Sequence, residues 1–167
     1  MREKIARGEI SPSYFYRELL QLIYRLLFIM VAEERDLIQP EDLNLREIYD
    51  NYYGLSRLRV MSAEPEVLNP GFHDLWEGVK RLFYLLSTKD GEKLGLTVLN
   101  GGLFQWGNFF FKDYKLSNAD FLKALNHLSY FEQDGHKIRV NYAALDVEEL
   151  GSVYESLLDY QPVFVGG

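Results

Sequence analysis

From Leu19 to Ala32 the chain is apolar at every position except Gln21 and Arg25, and this run limits the possible folds more than any other feature. A helix over it must bury side chains on several faces. Leu19, Ile23, Leu26 and Met30 trace one stripe, and Leu20, Leu27 and Val31 widen it. The run falls short of the about 20 apolar residues that cross a bilayer, and a charge interrupts it, so it predicts a core helix and no membrane partner. Ser11 followed by Pro12 supplies an N-cap and a first helical position, and the pattern continues to about Leu37. At 1.5 Å per residue such a helix is about 39 Å long, enough to be the spine of a domain. Arg25 inside it requires an acceptor, because an unpaired buried charge is costly.

The rest of the chain alternates short helical patterns with punctuation. Gln39-Pro40 marks a loop, and Leu45 to Arg59 reads as one or two short helices broken near Gly54. Phe72, Leu75, Trp76, Val79, Phe83 and Leu86 predict an amphipathic helix. Thr88 to Gly95 is a polar turn, and Leu99 to Tyr114 is irregular and dense in aromatics. Ser117 with Asp120 opens a helix whose apolar face is Phe121, Leu122, Leu125 and Leu128. Tyr130 to Tyr142 predicts a hairpin turning on Asp134-Gly135. Asp146 with Glu149 forms a capping-box pattern before a stripe of Leu150, Val153, Tyr154 and Leu157, with Leu158 widening it. Gly151 within that helix costs about 1 kcal/mol relative to alanine, and a second backbone packed closely against it is the simplest reason for it. The expected fold is therefore mainly α: an irregular helical domain with a long N-terminal helix and one small β-hairpin near residues 130–142. Residues 1–11 are expected to be a flexible lead-in, and 12–167 a single helical domain.

Composition narrows the function. The chain of 167 residues has a net charge of −7, and after Arg139 it carries no lysine or arginine but five acids, Asp146, Glu148, Glu149, Glu155 and Asp159. Such a surface repels a phosphate backbone, so contact with nucleic acid needs a local basic patch. Arg57 and Arg59, Lys80 and Arg81, and Lys112 and Lys115 are the candidates. The absence of cysteine excludes disulfides and cysteine-ligated metals, and it fits a cytoplasmic location.

No catalytic, cofactor-binding or metal-binding residue can be nominated. His73, His127 and His136 lack metal-ligand spacing. Gly102 and Gly107 have the separation of a phosphate-binding loop, but Asn108 and Phe109 stand where a lysine and a hydroxyl would grip phosphate and magnesium. Asp90, Glu92 and Lys93 lie together in what reads as a flexible turn.

Three blocks carry a family likeness. Tyr24 to Ile38, YRLLFIMVAEERDLI, is similar to an arginine–leucine–phenylalanine helix ending in an acidic–arginine–leucine pattern. Asn100 to Phe104, NGGLF, resembles a short glycine turn, and Leu150 to Leu158, LGSVYESLL, a packing helix. In this order they resemble the helical connector region preceding the adenine-N6 methyltransferase domain of type IIG restriction–modification enzymes and related phage-defence methyltransferases. The likeness spans about residues 14 to 163.

The resemblance implies a non-catalytic connector, a fragment of a larger enzyme. The parent would use S-adenosylmethionine and would reach DNA through its methyltransferase domain, with a nuclease in some members. Neither the cofactor motif nor the catalytic Asn-Pro-Pro-aromatic sequence is present, so no catalytic residue carries over. What carries over is architecture: Asn100, Gly101, Gly102, Leu103 and Phe104 as a structured turn, and Leu150, Gly151, Tyr154 and Leu158 as a packing helix. Tyr154 and Glu155 are candidates to meet the methyltransferase domain, against a local core role for Tyr154. Two other functions compete with this one. A self-contained helical protein-interaction module would use the Phe104 to Tyr114 loop as its contact patch, and a small enzyme would have an unfamiliar site.

Overall fold

The computed structural model describes residues 2–63 and 71–160, and it is mainly helical with one two-stranded antiparallel hairpin. The chain divides into two compact units, one formed by the residues up to Phe28 and those from Leu145 on, the other by Ile29–Ala144.

In the first unit, a one-turn helix α1 (Arg2–Ala6) precedes α2 (Pro12–Glu34), the long helix, whose last turns belong to the second unit. Ser11 caps α2 as expected, its Oγ accepting from the Tyr14 amide at 3.1 Å. No residue from Glu18 to Glu34 is exposed, so the apolar run is covered on several sides. Arg25 is 2 % exposed; burial lowers its pKa to about 10, while the charge of Glu18 pulls it back up. The helix ends three residues before the expected Leu37. Asp36 adopts a left-handed φ of 57°, with Leu37 N–H donating to Ala32 C=O and Asp36 N–H to Glu33 C=O. This paired closure satisfies the last carbonyls and turns the chain away.

The closing helix α7 (Val147–Leu158) starts at a complete capping box. Glu149 N–H donates to Asp146 Oδ1 at 2.7 Å, and Asp146 N–H to Glu149 Oε2 at 2.9 Å. It lies against α2, with the Tyr16 hydroxyl donating to Leu157 C=O at 2.8 Å and the Tyr24 and Tyr154 rings 4.9 Å apart. The close backbone approach expected at Gly151 is absent. Among the described residues a Cβ there would meet nothing within 4 Å.

In the second unit, α3 (Leu43–Ile48) runs into a wider turn at Tyr49–Tyr53, and after Gly54 comes α4 (Leu55–Ser62). Helix α5 (Asp74–Ser87) buries Leu75, Trp76, Val79, Leu82, Phe83 and Leu86. Phe72, expected to open its stripe, precedes the helix and is 60 % exposed. The Asn118 amide explains that start: its oxygen accepts from Leu75 N–H at 3.1 Å, and its nitrogen donates to Asp74 at 2.8 Å. The cap of α5 therefore comes from the first residue of α6 (Asn118–Ser129), which Ser117 caps in turn. The Trp76 and Phe121 rings meet at 5.8 Å between these helices.

Strands β1 (Tyr130–Gln133) and β2 (His136–Arg139) pair with Gln133 opposite His136. Asp134 and Gly135 both have positive φ, 53° and 73°, which is the mirror-image turn that matches strand twist.

Glycine at two positions has opposite meanings. At Gly91 a Cβ would lie 2.2 Å from the Leu85 carbonyl oxygen, whereas Gly151 sits in open helix. Gly151→Ala is expected to raise unfolding free energy in urea by about 0.5–1 kcal/mol. Gly91→Ala is expected to lower it by more than about 1 kcal/mol. A destabilised Gly151→Ala variant would show that a neighbour does press on that helix.

Candidate functional site

The densest polar arrangement lies in the second unit, where two consecutive carboxylates at the end of α2 turn inward. Glu33 is 5 % exposed and accepts four hydrogen bonds: from Tyr49 Oη at 2.8 Å, Leu55 N–H at 2.7 Å, Ser56 N–H at 2.8 Å and Ser56 Oγ at 2.8 Å. Because Gly54 has no side chain to cap α4, the Glu33 carboxylate caps it from another helix and meets the positive end of its dipole. Burial pushes the Glu33 carboxyl above its usual range against the pull of these donors. Burial and the Glu33 charge likewise raise the Tyr49 phenol.

Glu34 has a separate set of partners. It pairs with Arg59 and, at 3.2 Å, with Arg139, and it accepts from Ala143 N–H at 3.0 Å. Arg59 has no exposed surface. Beyond Glu34, its guanidinium donates to Ser129 Oγ at 3.3 Å and Val140 C=O at 2.8 Å, and it lies 4.8 Å over the Tyr142 ring. Partial burial raises the Glu34 carboxyl, but the hydrogen bonds and charges of Arg59, Ala143 and Arg139 outweigh it, and the group sits below its usual range. Arg59 was a candidate for a DNA-facing patch; its burial removes it from that role. The ionisable groups here hold the end of α2, α4, α6 and the hairpin exit together.

Open surface with chemical character lies along α5. A shallow cleft of about 360 Å3 is lined by Glu77, Lys80, Arg81, Tyr84, Trp106 and Lys112. A second, of about 310 Å3, adjoins it through Arg81 and includes Tyr53, Asp90 and Lys93. Three cations singled out in the sequence, Lys80, Arg81 and Lys112, thus share one cleft. Trp106, which stood out only as part of an aromatic-dense stretch, joins them. Its polar, glycine-containing surroundings, Gln105, Gly107 and Asn108, were the available hint that this ring reaches the surface.

The architectural residues fall in both units. Asn100, Gly101 and Gly102 are exposed, Leu103 is half-buried, and Phe104 is 3 % exposed with its ring edge-on to Phe83 at 6.2 Å. Phe104 N–H donates to Gly101 C=O at 3.1 Å, closing a single tight turn. In the other unit, Leu150 is buried, Gly151 and Tyr154 are half-buried, and Glu155 and Leu158 are exposed. Among the described residues, no three histidine or acidic side chains converge to hold a metal ion, and no helix is long and apolar enough to cross a membrane.

No protein-family model matches the chain, no curated protein matches its sequence, and no solved structure matches its fold.

The polar cluster predicts a pH signature. The pKa of Glu34 is lower folded than unfolded, so its contribution to stability is present above the ordinary value of 4.5 and is lost as pH falls through the folded pKa. Urea titrations from neutral to acid pH should therefore show wild type losing more stability below about 4.5 than Glu34→Gln. Arg59→Ala should cost about 3 kcal/mol or more at neutral pH, because it removes a fully buried guanidinium together with its contacts to Glu34, Ser129, Val140 and Tyr142 and leaves a cavity. A cost near zero would mean that the pair does not organise the core.

Proposed function

We propose that this chain is a non-catalytic helical connector of a restriction–modification DNA adenine methyltransferase, supporting the S-adenosylmethionine-dependent domain of its parent through α7. DNA, and in some parents a nuclease, is engaged through that larger enzyme. The three sequence blocks suggest the family, and the surface of α7 is the structural observation that carries the reading. Leu150, Tyr154 and Leu157 form its covered stripe, but the apolar side chains flanking the stripe remain in water: Val153 is 39 % exposed and Leu158 47 %. Tyr160, just past the helix, is 68 % exposed. An apolar stripe wider than its cover is what a helix shared with a further domain presents.

The methyl donor itself fits nothing among the described residues. Their strands form one exposed hairpin with no parallel crossover, so there is no strand-to-helix turn to cradle an adenosyl group. No chemical step is assigned to this chain. The rival reading, an interaction module built on the aromatic loop, has less support, because Phe104, Phe109 and Phe111 point into the core.

Two measurements test the proposal. Calorimetry of this chain with S-adenosylmethionine should show no binding, and micromolar affinity would contradict the connector reading. The parent's methyltransferase domain supplied in trans should associate with the wild-type chain. Val153→Asp combined with Leu158→Asp should abolish that association without lowering the melting temperature; unchanged association would contradict the reading.

A further inference from the structure

Half-buried aromatic rings and three cations of an acidic chain meet in the cleft along α5. Lys80 is already occupied there, its ammonium contacting Glu77 at 2.8 Å and donating to the carbonyls of Lys112 at 3.0 Å and Tyr114 at 3.4 Å. Arg81 and Lys112 are different. Among the described residues neither forms an ion pair, and the Lys112 ammonium donates only to Gly107 C=O at 3.0 Å, leaving two of its three donors open. Arg81 lies 4.8 Å over the Tyr84 ring, which orients the guanidinium without neutralising it.

Trp106 completes the set. It is half-buried and fixed edge-on to Tyr84 at 5.6 Å and tilted against Phe109 at 5.8 Å. Its indole N–H has no acceptor among the described residues. A braced ring beside two cations outside any ion pair is more than a solvated charge cluster. A bare anion would need no ring, and a neutral aromatic ligand would need no cations. A phosphate with a planar base attached uses both.

We propose that this cleft binds a nucleotide unit, the base stacking on Trp106 and the phosphate held by Arg81 and Lys112. The cleft, about 360 Å3, lies within the about 300–1,000 Å3 span of small-ligand sites. The adjoining depression of about 310 Å3 shares Arg81 and adds the Tyr53 side chain beside the Lys93–Asp90 ion pair; it gives a second unit somewhere to go, so a single strand suits the surface better than a free nucleotide. Stacking with cation contacts is how strands are held without reading their sequence. The net charge of −7 opposes the approach of any anion, but at physiological salt that repulsion fades over about 8 Å. The site stands apart from the connector reading: it lies in the other unit and needs no parent enzyme.

The test is fluorescence anisotropy of the whole chain with a labelled single-stranded oligodeoxynucleotide of about ten nucleotides, with AMP and inorganic pyrophosphate as competitors. Saturable binding at low salt is expected. Trp106→Ala should weaken it about tenfold, and Trp106→Phe, which keeps a ring against Tyr84, should restore most of it. Arg81→Gln and Lys112→Gln should each flatten the slope of log affinity against log salt by about 0.7, while Lys123→Gln on exposed α6 surface should change nothing. Melting curves identify any variant that fails to fold, and the exposed Arg81 then carries the test. Competition by AMP as strong as by the strand also supports the site and makes the free nucleotide its ligand. Absence of saturable binding, or binding displaced equally well by pyrophosphate and indifferent to Trp106→Ala, would overturn the proposal.

Discussion

Two adjacent carboxylates, Glu33 and Glu34, reach different partners from the last turn of the long helix, and the second unit is assembled around them. Glu33 replaces the missing cap of α4. Glu34 anchors Arg59, which reaches Ser129 at the end of α6 and Val140 at the exit of the hairpin. Hydrogen bonds to a charged group contribute about 1.5–3 kcal/mol each, and a buried carboxylate with fewer donors would be untenable. The burial of these acids and the geometry of four elements therefore require each other.

That arrangement bears on function. A catalytic acid or base is a group whose environment leaves a proton free to move toward a substrate. Here Glu33, Glu34 and Arg59 are committed to holding helix ends and the hairpin exit, and the chemically open surface lies elsewhere, along α5 and on the flanks of α7. The proposed scaffold would draw on this division: its charges fix the shape of the second unit, and its proposed contacts would be made by apolar side chains on one helix and by a cationic, aromatic cleft on another.

What could be read from the sequence was whatever acts locally. The apolar run of α2, the Ser11, Ser117 and Asp146 caps and the Asp134-Gly135 turn all depend on partners within a few residues, and all are present in the structure. Long-range partners left no such trace. Nothing near Glu33 announces Leu55 and Ser56, and Arg59 looked like any surface arginine until Ser129 and Val140 were brought beside it. Phe72 fitted the stripe of α5 by spacing alone, but the cap from Asn118 starts the helix after it. Gly151 suggested a close neighbour that is not among the described residues. For the cleft, Lys80, Arg81 and Lys112 were visible as cations, yet their meeting at Trp106 depends on how the irregular segment after Gly102 folds back on α5.

Native-state hydrogen exchange at the Leu55 and Ser56 amides is the most direct test of the central claim. These two N–H groups lie at a helix start, where amides ordinarily exchange quickly for want of an acceptor. If the Glu33 carboxylate holds them, they exchange as slowly as the core amides of α5, and Glu33→Gln releases them while Asn118 continues to protect Leu75. Fast exchange of Leu55 and Ser56 in the wild-type chain would contradict the account.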